Sequence, residues 1–433
     1  MQKKTRHSSR VKAKRIQPSL VKVMFWIVVA AAIALLAMNS ANATSSARSL
    51  AMGGAYTALA KGAEAAIYNP ANLGLRDHRQ AGLHIAGVGA DINNNAFSLN
   101  DYNSYTGQFL TNADKADILG KIPDEGLKLR ANVDAWGPTL SLGSMVFSGT
   151  VNAAADANLS KDIIDLVLNG NQFGQTISLT GSYSEALAYA TAGLSYGKTI
   201  HTIGSRQLAV GATFKYLRGL GIERILENEG AVTTGEFGYQ GDGHLAVQTA
   251  EGGTGYAVDL GVSVKLSKAY TAGLVVKNAM SAITWDNNPE EHGFLFSFDT
   301  LTLDNMDQDF VVTDDYSIPI ASFKTSLPPV ASLGLAKTSG SLVWGVDWEQ
   351  GIKSQPGTST KPRLSAGVEW SPIGILPLRA GYSTGGNRNS GLSFGTGLDL
   401  AVFYFDIAAV AGSGGTMNSA KGMTMAVSTG FTF

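Results

Sequence analysis

The chain ends in GMTMAVSTGFTF, residues 422–433. Met423, Met425, Val427, Phe431 and the terminal Phe433 fall on one face of an extended segment, and Gly422, Thr424, Ala426, Ser428 and Gly430 fall on the other. Side chains of a β-strand alternate between two faces, so this period of two reads as a strand with one apolar side. The same pattern recurs upstream. Leu342, Trp344, Val346 and Trp348 alternate with Val343, Gly345, Asp347 and Glu349, and Val258, Leu260, Val262 and Val264 alternate with Asp259, Gly261, Ser263 and Lys265. Leu208, Val210, Phe214 and Tyr216 alternate with Gly211, Thr213 and Lys215, and Leu364, Ala366, Val368 and Trp370 with Arg363, Ser365, Gly367 and Glu369. One face is continuously apolar, while the other carries small residues and full charges.

The spacing of turns predicts the topology. Six tight connections (Gly143-Ser144, Thr199–Ser205, Ser267-Lys268, Thr338–Gly340, Ser371–Leu376 and Asp399–Ala401) alternate with long polar stretches near 98–130, 156–178, 219–254 and 282–328. Short turns at one end and long loops at the other are the pattern of outer-membrane barrels. Six hairpins, a first strand near 81–97 and a last near 422–433 give about fourteen strands. The range is 12–16, because the loop near 230–250 has room for another strand pair. The predicted fold is all-β, a transmembrane antiparallel β-barrel. Ala113–Leu119 and Leu159–Leu168, the latter capped by Ser160, have helical spacing and fall within the long loops.

The N-terminus reads as an export signal. Residues 1–22 carry eight Lys/Arg and no acid, and Val23–Met38 is apolar with Ala41-Asn42-Ala43 following it. Removing residues 1–43 leaves 25 basic against 34 acidic residues, a charge near −9 that argues against nucleic acid as a partner. The chain has no cysteine, which excludes a disulfide framework, a thiolate metal site and a lipidated N-terminal Cys. Beyond residue 43 no stretch of 18 apolar residues occurs. A bilayer could then be crossed only by a closed barrel, since every backbone group must be paired within lipid. The expected location is the bacterial outer membrane, with both termini in the periplasm. The division is signal peptide 1–43, N-terminal plug 44–80 and barrel 81–433.

Residues 44–80 do not alternate. Their core, SSARSLAMGGAYTALAKGAEAAIYNPANLGL (45–75), is rich in Ala and Gly and has a helix-stopping Pro70. Gly53-Gly54 permits close backbone approach or positive φ, and Asn69-Pro70 initiates a turn. Arg48–Ala55 followed by Asn69, Pro70, Ala71 and Leu73 resembles the N-terminal hatch of the long-chain fatty-acid transporter (FadL-type) superfamily. That superfamily also includes PorV-type secretion barrels and conjugation-associated TraF-type relatives. The resemblance covers about 30 residues and marks Gly53, Gly54, Asn69, Pro70 and Ala71 as the hatch motif. The final strand, with Phe431 and Phe433, also resembles the signal read by the outer-membrane assembly machinery.

No catalytic constellation is evident. His7, His78, His84, His201, His244 and His292 are scattered and lack metal-ligand spacing, and nucleotide or nucleophile motifs are absent from a strand–turn–helix context. His84 reads as a structural, lumen-facing histidine, and Gly395 and Gly397 read as strand glycines. Asp304, Asp307, Asp309, Asp314 and Asp315 lack the EF-hand glycine. No cofactor, metal or enzymatic activity is expected. Lys215, Asp259, Lys265, Lys277, Asp347, Glu349, Arg363, Glu369, Arg379 and Asp399 fall on the inward face. Both signs occur, which suits ion pairs bracing a plugged barrel rather than an ion-selective pore. The resemblance implies passive transport of fatty-acid-like hydrophobic or amphipathic molecules, with a scaffold or shuttle for protein secretion as the alternative. The partners it implies are outer-membrane lipid, the assembly machinery and a hydrophobic ligand. The oligomeric state is not legible.

Overall fold

Alternating strands dominate the computed structural model, which describes residues 46–78, 80–301, 311–387, 390–412 and 419–433. The expected signal peptide, Asp304, Asp307 and Asp309 lie outside the described residues. The first β segments are β1 (Gln80–Asn94), β2 (Leu127–Trp136), β3 (Thr139–Gly143), β4 (Met145–Leu159), β5 (Thr176–Ser178), β6 (Tyr183–Ile203) and β7 (Arg206–Gly235). Then come β8 (Gly238–Ala250), β9 (Gly252–Lys265), β10 (Tyr270–Asn287), β11 (Glu290–Leu301), β12 (Val311–Pro319), β13 (Phe323–Thr325) and β14 (Val330–Ser339). The last are β15 (Leu342–Gly351), β16 (Arg363–Trp370), β17 (Leu378–Gly385), β18 (Gly391–Leu400), β19 (Phe403–Ala411) and β20 (Gly422–Thr432).

The wall closes on itself. β1 pairs with β2 and β3, which act as one interrupted strand, and the ring continues through β4, β6, β7, β9 and β10. β13 and β14 form a second interrupted strand beside β10, and β15 to β20 lead back to β1, where Leu83 sits opposite Phe431. Counting each interrupted strand once, the barrel has fourteen antiparallel strands. Closure leaves no open edge in the wall, the condition for crossing lipid.

The side-chain period decides which face meets which medium. Leu194, Phe214, Leu260, Leu333, Leu364 and Phe394 point outward with 42–57% exposure. Asp259, Ser263, Ser365 and Glu369, on the opposite parity of the same strands, are buried inside. In water such an apolar belt would be a large liability; in lipid it is the favourable surface. Trp344 meets Tyr270 edge-on near the turns, with centroids 6.2 Å apart, as an interfacial aromatic does.

Two expected loops are instead largely strand. β7 runs for 30 residues, where roughly ten would span a bilayer. Its first half pairs with β9 in the wall, while Ile222–Gly235 pairs with β8 beyond it. β8 pairs with β11, β11 with β12, and β5 joins the other edge of β7. The stretches 219–254 and 282–328 therefore supply four strands of a sheet outside the barrel, and β5 from the stretch 156–178 adds the fifth. Its strands escape a reading tuned to apolar outer faces because they carry many polar and acidic residues, among them Glu227, Glu229, Asp242, Glu290 and Glu291.

The remaining loop-end cover is helical. The helices are α1 (Ala47–Ala51) and α2 (Gly62–Tyr68) before the wall, and α3 (Leu99–Tyr105), α4 (Asn112–Lys121) and α5 (Lys161–Asn169) between its strands. Ser98 with Asp101 and Thr111 with Asp114 form capping boxes on α3 and α4, and Ser160 caps α5. Ile118 and Ile122 pack with Ile164 and Leu168, joining α4 to α5.

Candidate functional site

Residues 46–78 lie within the wall. From Ser46 to Ala60 every residue is buried except the half-buried Arg48 and Gly54. The segment enters on α1, turns at Gly53 and Gly54 with φ of +69° and +93°, and leaves through α2 and a 3-10 turn at Pro70–Gly74. A side chain at either glycine would strain the backbone. Asn69 precedes Pro70 in extended conformation, and its Oδ1 accepts from Ala71 N at 3.1 Å. Asn69 Nδ2 donates to Ser263 Oγ on β9 at 3.0 Å, tying the turn to the wall.

Wall glycines let this backbone approach. A Cβ on Gly211 would fall 2.4 Å from Pro70, and one on Gly197 would fall 2.5 Å from Gly74 N. Across the lumen, Gly367 and Gly381 would each place a Cβ 2.3 Å from Met52 or Gly53, and Gly395 would place one 2.5 Å from the Ala51 Cβ. Gly197, Gly211 and Gly261 sit opposite one another on adjacent strands, as do Gly345, Gly367 and Gly381. Two glycine rows thus cradle the inner segment on opposite sides. Gly395 is more than a strand glycine, although sequence alone gave it no other role.

The inward charges hold the same segment. Arg48 donates to both Glu369 oxygens at 2.7 and 2.8 Å. Arg379 donates to Glu369 at 2.6 Å and also to Asp406, so two guanidinium groups share two carboxylates. Asp347 accepts from the amides of Tyr56 and Thr57 at 2.9 and 2.8 Å. Lys215 pairs with the buried Asp259 at 2.7 Å, Lys265 pairs with Asp77, and Lys277 lies over the Tyr68 ring. Arg363 reaches Gly53 O at 3.4 Å and Ser383 Oγ at 3.0 Å, and Glu349 accepts from Ser332 at 3.3 Å. Asp399 keeps the inward register but sits exposed at the turn-end rim. There it borders a cavity of about 250 Å³, also lined by Arg48, Lys61, Glu64 and His84. Burial pushes the Glu64 carboxyl up against the pull of Arg48, and it pushes the Lys61 amine down.

Above the inner segment the wall changes character. β10 carries Asn278 at φ +51°, and its pairing with β9 shifts between Val276 and Met280. Opposite, the strand breaks between Thr325 and Val330. Side chains replace the lost ladder: Asp259 accepts from Asn278 N at 2.7 Å, and Ser281 donates to Leu327 O at 2.8 Å. Leu327 turns inward against Leu217, Ile283 and Trp285, an apolar cluster on the lumen side of β7 and β10. Trp285 Nε1 donates to Thr325 Oγ1 at 2.8 Å across the interrupted seam.

Two participants, Asp406 and Asn278, are absent from the sequence-based set. Asp406 completes the Arg379 pairing, and it is legible in retrospect because Tyr404 and Asp406 alternate with Phe403, Phe405 and Ile407. His84 stacks on Trp136 at 3.4 Å, and its Nδ1 meets the Tyr404 hydroxyl at 2.6 Å, so it serves a buried aromatic cluster. Asn278 gives only the weak signal of an Asn in a strand. Phe431 packs against Phe403 with centroids 5.6 Å apart, and Phe433 is exposed. Asp314 and Asp315 lie on β12, and among the described residues no group of acidic or histidine side chains is arranged to hold a metal.

Comparison with known proteins agrees with this architecture. A family model described as a family of unknown function, DUF5723, matches residues 70–251. No curated protein matches the sequence. Among solved structures, a TodX monoaromatic hydrocarbon channel deltaS2S3 mutant is similar over 89% of this chain and 98% of its own, with 15% identity and a TM-score of 0.52. A TodX deltaS2 mutant channel is similar over 89% and 96%, with 17% identity and a TM-score of 0.50. A Pseudomonas aeruginosa FadL homologue is similar over 91% and 99%, with 12% identity and a TM-score of 0.50. The chain has the fold of these FadL-type channel barrels: fourteen strands closed around an N-terminal inner segment.

Proposed function

We propose that the protein resides in the outer membrane and passes hydrophobic or amphipathic small molecules across it without energy input. The observation that carries this reading is the interrupted seam between β10 and β13–β14, beside the apolar cluster of Leu217, Ile283, Trp285 and Leu327. A continuous ladder can open only by breaking many backbone bonds together. Here a short stretch is closed by the Asn278 and Ser281 side chains, which donate to Pro328 O at 3.5 Å and to Leu327 O at 2.8 Å, each hydrogen bond contributing about 1 kcal/mol net. An apolar molecule gathered at the loop end has a lumen face to rest on, and the seam offers a lateral way into the bilayer. The inner segment fills the turn-end half, so an aqueous route for polar solutes is blocked.

Similarity to hydrocarbon channels and to a FadL homologue supports transport, while the secretion-scaffold alternative gains nothing from it. The reading has the long loops outside the cell and residues 46–78 on the periplasmic side. The test is uptake of labelled toluene and of labelled long-chain fatty acid by cells with and without the protein. Protein-dependent uptake of either class is expected. Unchanged uptake of both, alongside altered surface or secreted proteins, would sink the proposal.

A further inference from the structure

The segment between β15 and β16, residues 352–362, folds into the lumen. Its tip, Gln355-Pro356-Gly357-Thr358, is a tight turn in which Thr358 N donates to Gln355 O at 2.8 Å and Gly357 has a φ of +79°. Proline sets the first corner of such a turn and glycine supplies the second. A Cβ on Gly357 would fall 3.3 Å from Asn132 Oδ1 and 3.6 Å from the Ala154 Cβ. Asn132 on β2 and Ala154 on β4 stand opposite each other, and Ala154 shares the inward parity of the buried Val146 and Asp156. β15 and β16 are the ninth and tenth strands of the ring of fourteen, and β2 and β4 are the second and third. Seven positions in fourteen are half the circumference, so the segment spans the lumen as a strap.

Register places the strap relative to the apolar cluster. Asn132, Ala154, Leu187 and Ile222 form one row across β2, β4, β6 and β7. The next inward-facing row towards the turn end holds Asp134, Asn152, Tyr189, Gly219, Gly253 and Trp285. The strap tip therefore lies one row above the indole. Towards β6 and β7 the strap leaves a cavity of about 240 Å³, lined by Lys353 and Gln355 from the strap and by Tyr183, Glu185, Arg224 and Ile225 from the wall. A molecule descending from the loop end to Trp285 meets this narrowing first.

The hold on the strap is light. Its root is fixed, because Gly351 N donates to Ser359 O at 2.8 Å and Ile352 N donates to Pro329 O at 3.0 Å. Beyond the root it hangs on Asn387, whose Oδ1 accepts from Ser359 Oγ at 2.9 Å and whose Nδ2 donates to Thr358 O at 3.2 Å. The tip itself meets β2 and β4 through Gly357, which has no side chain to grip with. In this position two buried oxygens, Asn132 Oδ1 beneath the tip and Gln355 Oε1 within it, accept no hydrogen bond from the chain. A buried acceptor without a donor carries an unrecovered desolvation cost, and water removes that cost once the tip lifts.

We propose that residues 352–362 are a gate. Seated on Asn132 and Ala154, the strap closes the way from the loop end to the apolar cluster, and it lifts about its root to admit a solute. This rests on the transport reading and supplies its moving part.

The chain has no cysteine, so Ala154→Cys with Gly357→Cys introduces a single pair, at a Cβ separation that a disulfide accepts. Uptake of labelled toluene and of labelled long-chain fatty acid is measured in cells carrying this variant, oxidised and then reduced with dithiothreitol. Oxidation should abolish protein-dependent uptake, reduction should restore it, and Ala154→Cys alone should not respond. Oxidised protein that takes up solute as well as the reduced form would overturn the gate while leaving transport standing. Absence of protein-dependent uptake in every form, the unmodified chain included, would overturn the transport reading. A second measurement decides the gate without uptake, and also if Gly357→Cys fails to fold. In lipid nanodiscs a small maleimide should modify Ala154→Cys slowly in the full-length strap, and about tenfold or more faster once residues 353–359 are replaced by a short Gly-Ser link, since the minor state of a two-state element is populated at about 10% or less. Equal rates would show that nothing covers Ala154, and complete resistance to labelling would show a fixed cover; either result overturns the gate.

Discussion

The two halves of the lumen are built on opposite principles. In the turn-end half, backbone of residues 46–78 lies directly on wall glycines, and the half-buried Arg48 and buried Glu369, Arg379 and Asp406 are matched within one network. In the loop-end half, the wall ladder is interrupted beside Asn278, and an apolar cluster of Leu217, Ile283, Trp285 and Leu327 lines the break. The first half spends its polar groups on itself and is closed. The second sets an apolar cluster beside a seam held by few side-chain hydrogen bonds. A barrel of uniform strands can thus combine a closed end and an interrupted wall simply by where it places glycine and where it breaks a strand.

The largest expected effect comes from removing the shared carboxylate. Glu369→Ala leaves Arg48 without its carboxylate and the buried Arg379 with Asp406 alone, and losing one partner of a buried pair costs about 3–5 kcal/mol. Urea unfolding of the barrel in detergent should show this loss, and limited proteolysis should cut within residues 46–78 first. Protonation should loosen the same half by a different route. His78 is buried with Nδ1 on Ala60 O at 3.1 Å, and burial lowers its pKa from 6.5 to about 4. The folded value lies below the free one, so stabilisation is present above pH 6.5 and is lost as pH falls towards about 4. The contribution is on the order of 3 kcal/mol. Protease protection of residues 46–78 should fall across that window in the wild type and hold steady in His78→Gln.

Smaller effects sharpen the glycine argument. Gly211→Ala forces a methyl onto Pro70 and should cost about 1–3 kcal/mol, with the wall intact and the inner segment more easily cleaved. The same change at Gly340, which has open space around it, should instead report only its positive φ. Asn69→Ala removes the cap on the Pro70 turn and the donor to Ser263, and should cost about 1 kcal/mol in the same assay.

Much of the wall was legible because lipid and lumen demand opposite side chains on alternate positions. Leu342 to Glu349 and Met423 to Phe433 show this directly, and the tight turns at Gly143, Gly204 and Gly340 separate the strands. Asn69-Pro70 was legible because its geometry is local. Of the external sheet only room for a strand pair near 230–250 was legible, since its strands mix acidic residues into both faces and the alternation of Phe294, Phe296 and Phe298 is short and flanked by Glu290, Glu291 and Asp299. The cradle glycines were hidden for another reason: Gly211 and Pro70, or Gly367 and Met52, lie far apart in the chain, and a residue without a side chain gives no hint of its partner. The seam beside Asn278 becomes visible only once strand register has shown where β10 loses its partner.

The contrast between a closed and an interrupted half is tested most directly by ion conductance in planar bilayers. The intact barrel should conduct almost nothing, and a chain lacking residues 46–78 should form a steady open pore through the same wall. A large stable conductance from the intact protein would contradict the account, because the turn-end half would then be open with its stopper in place.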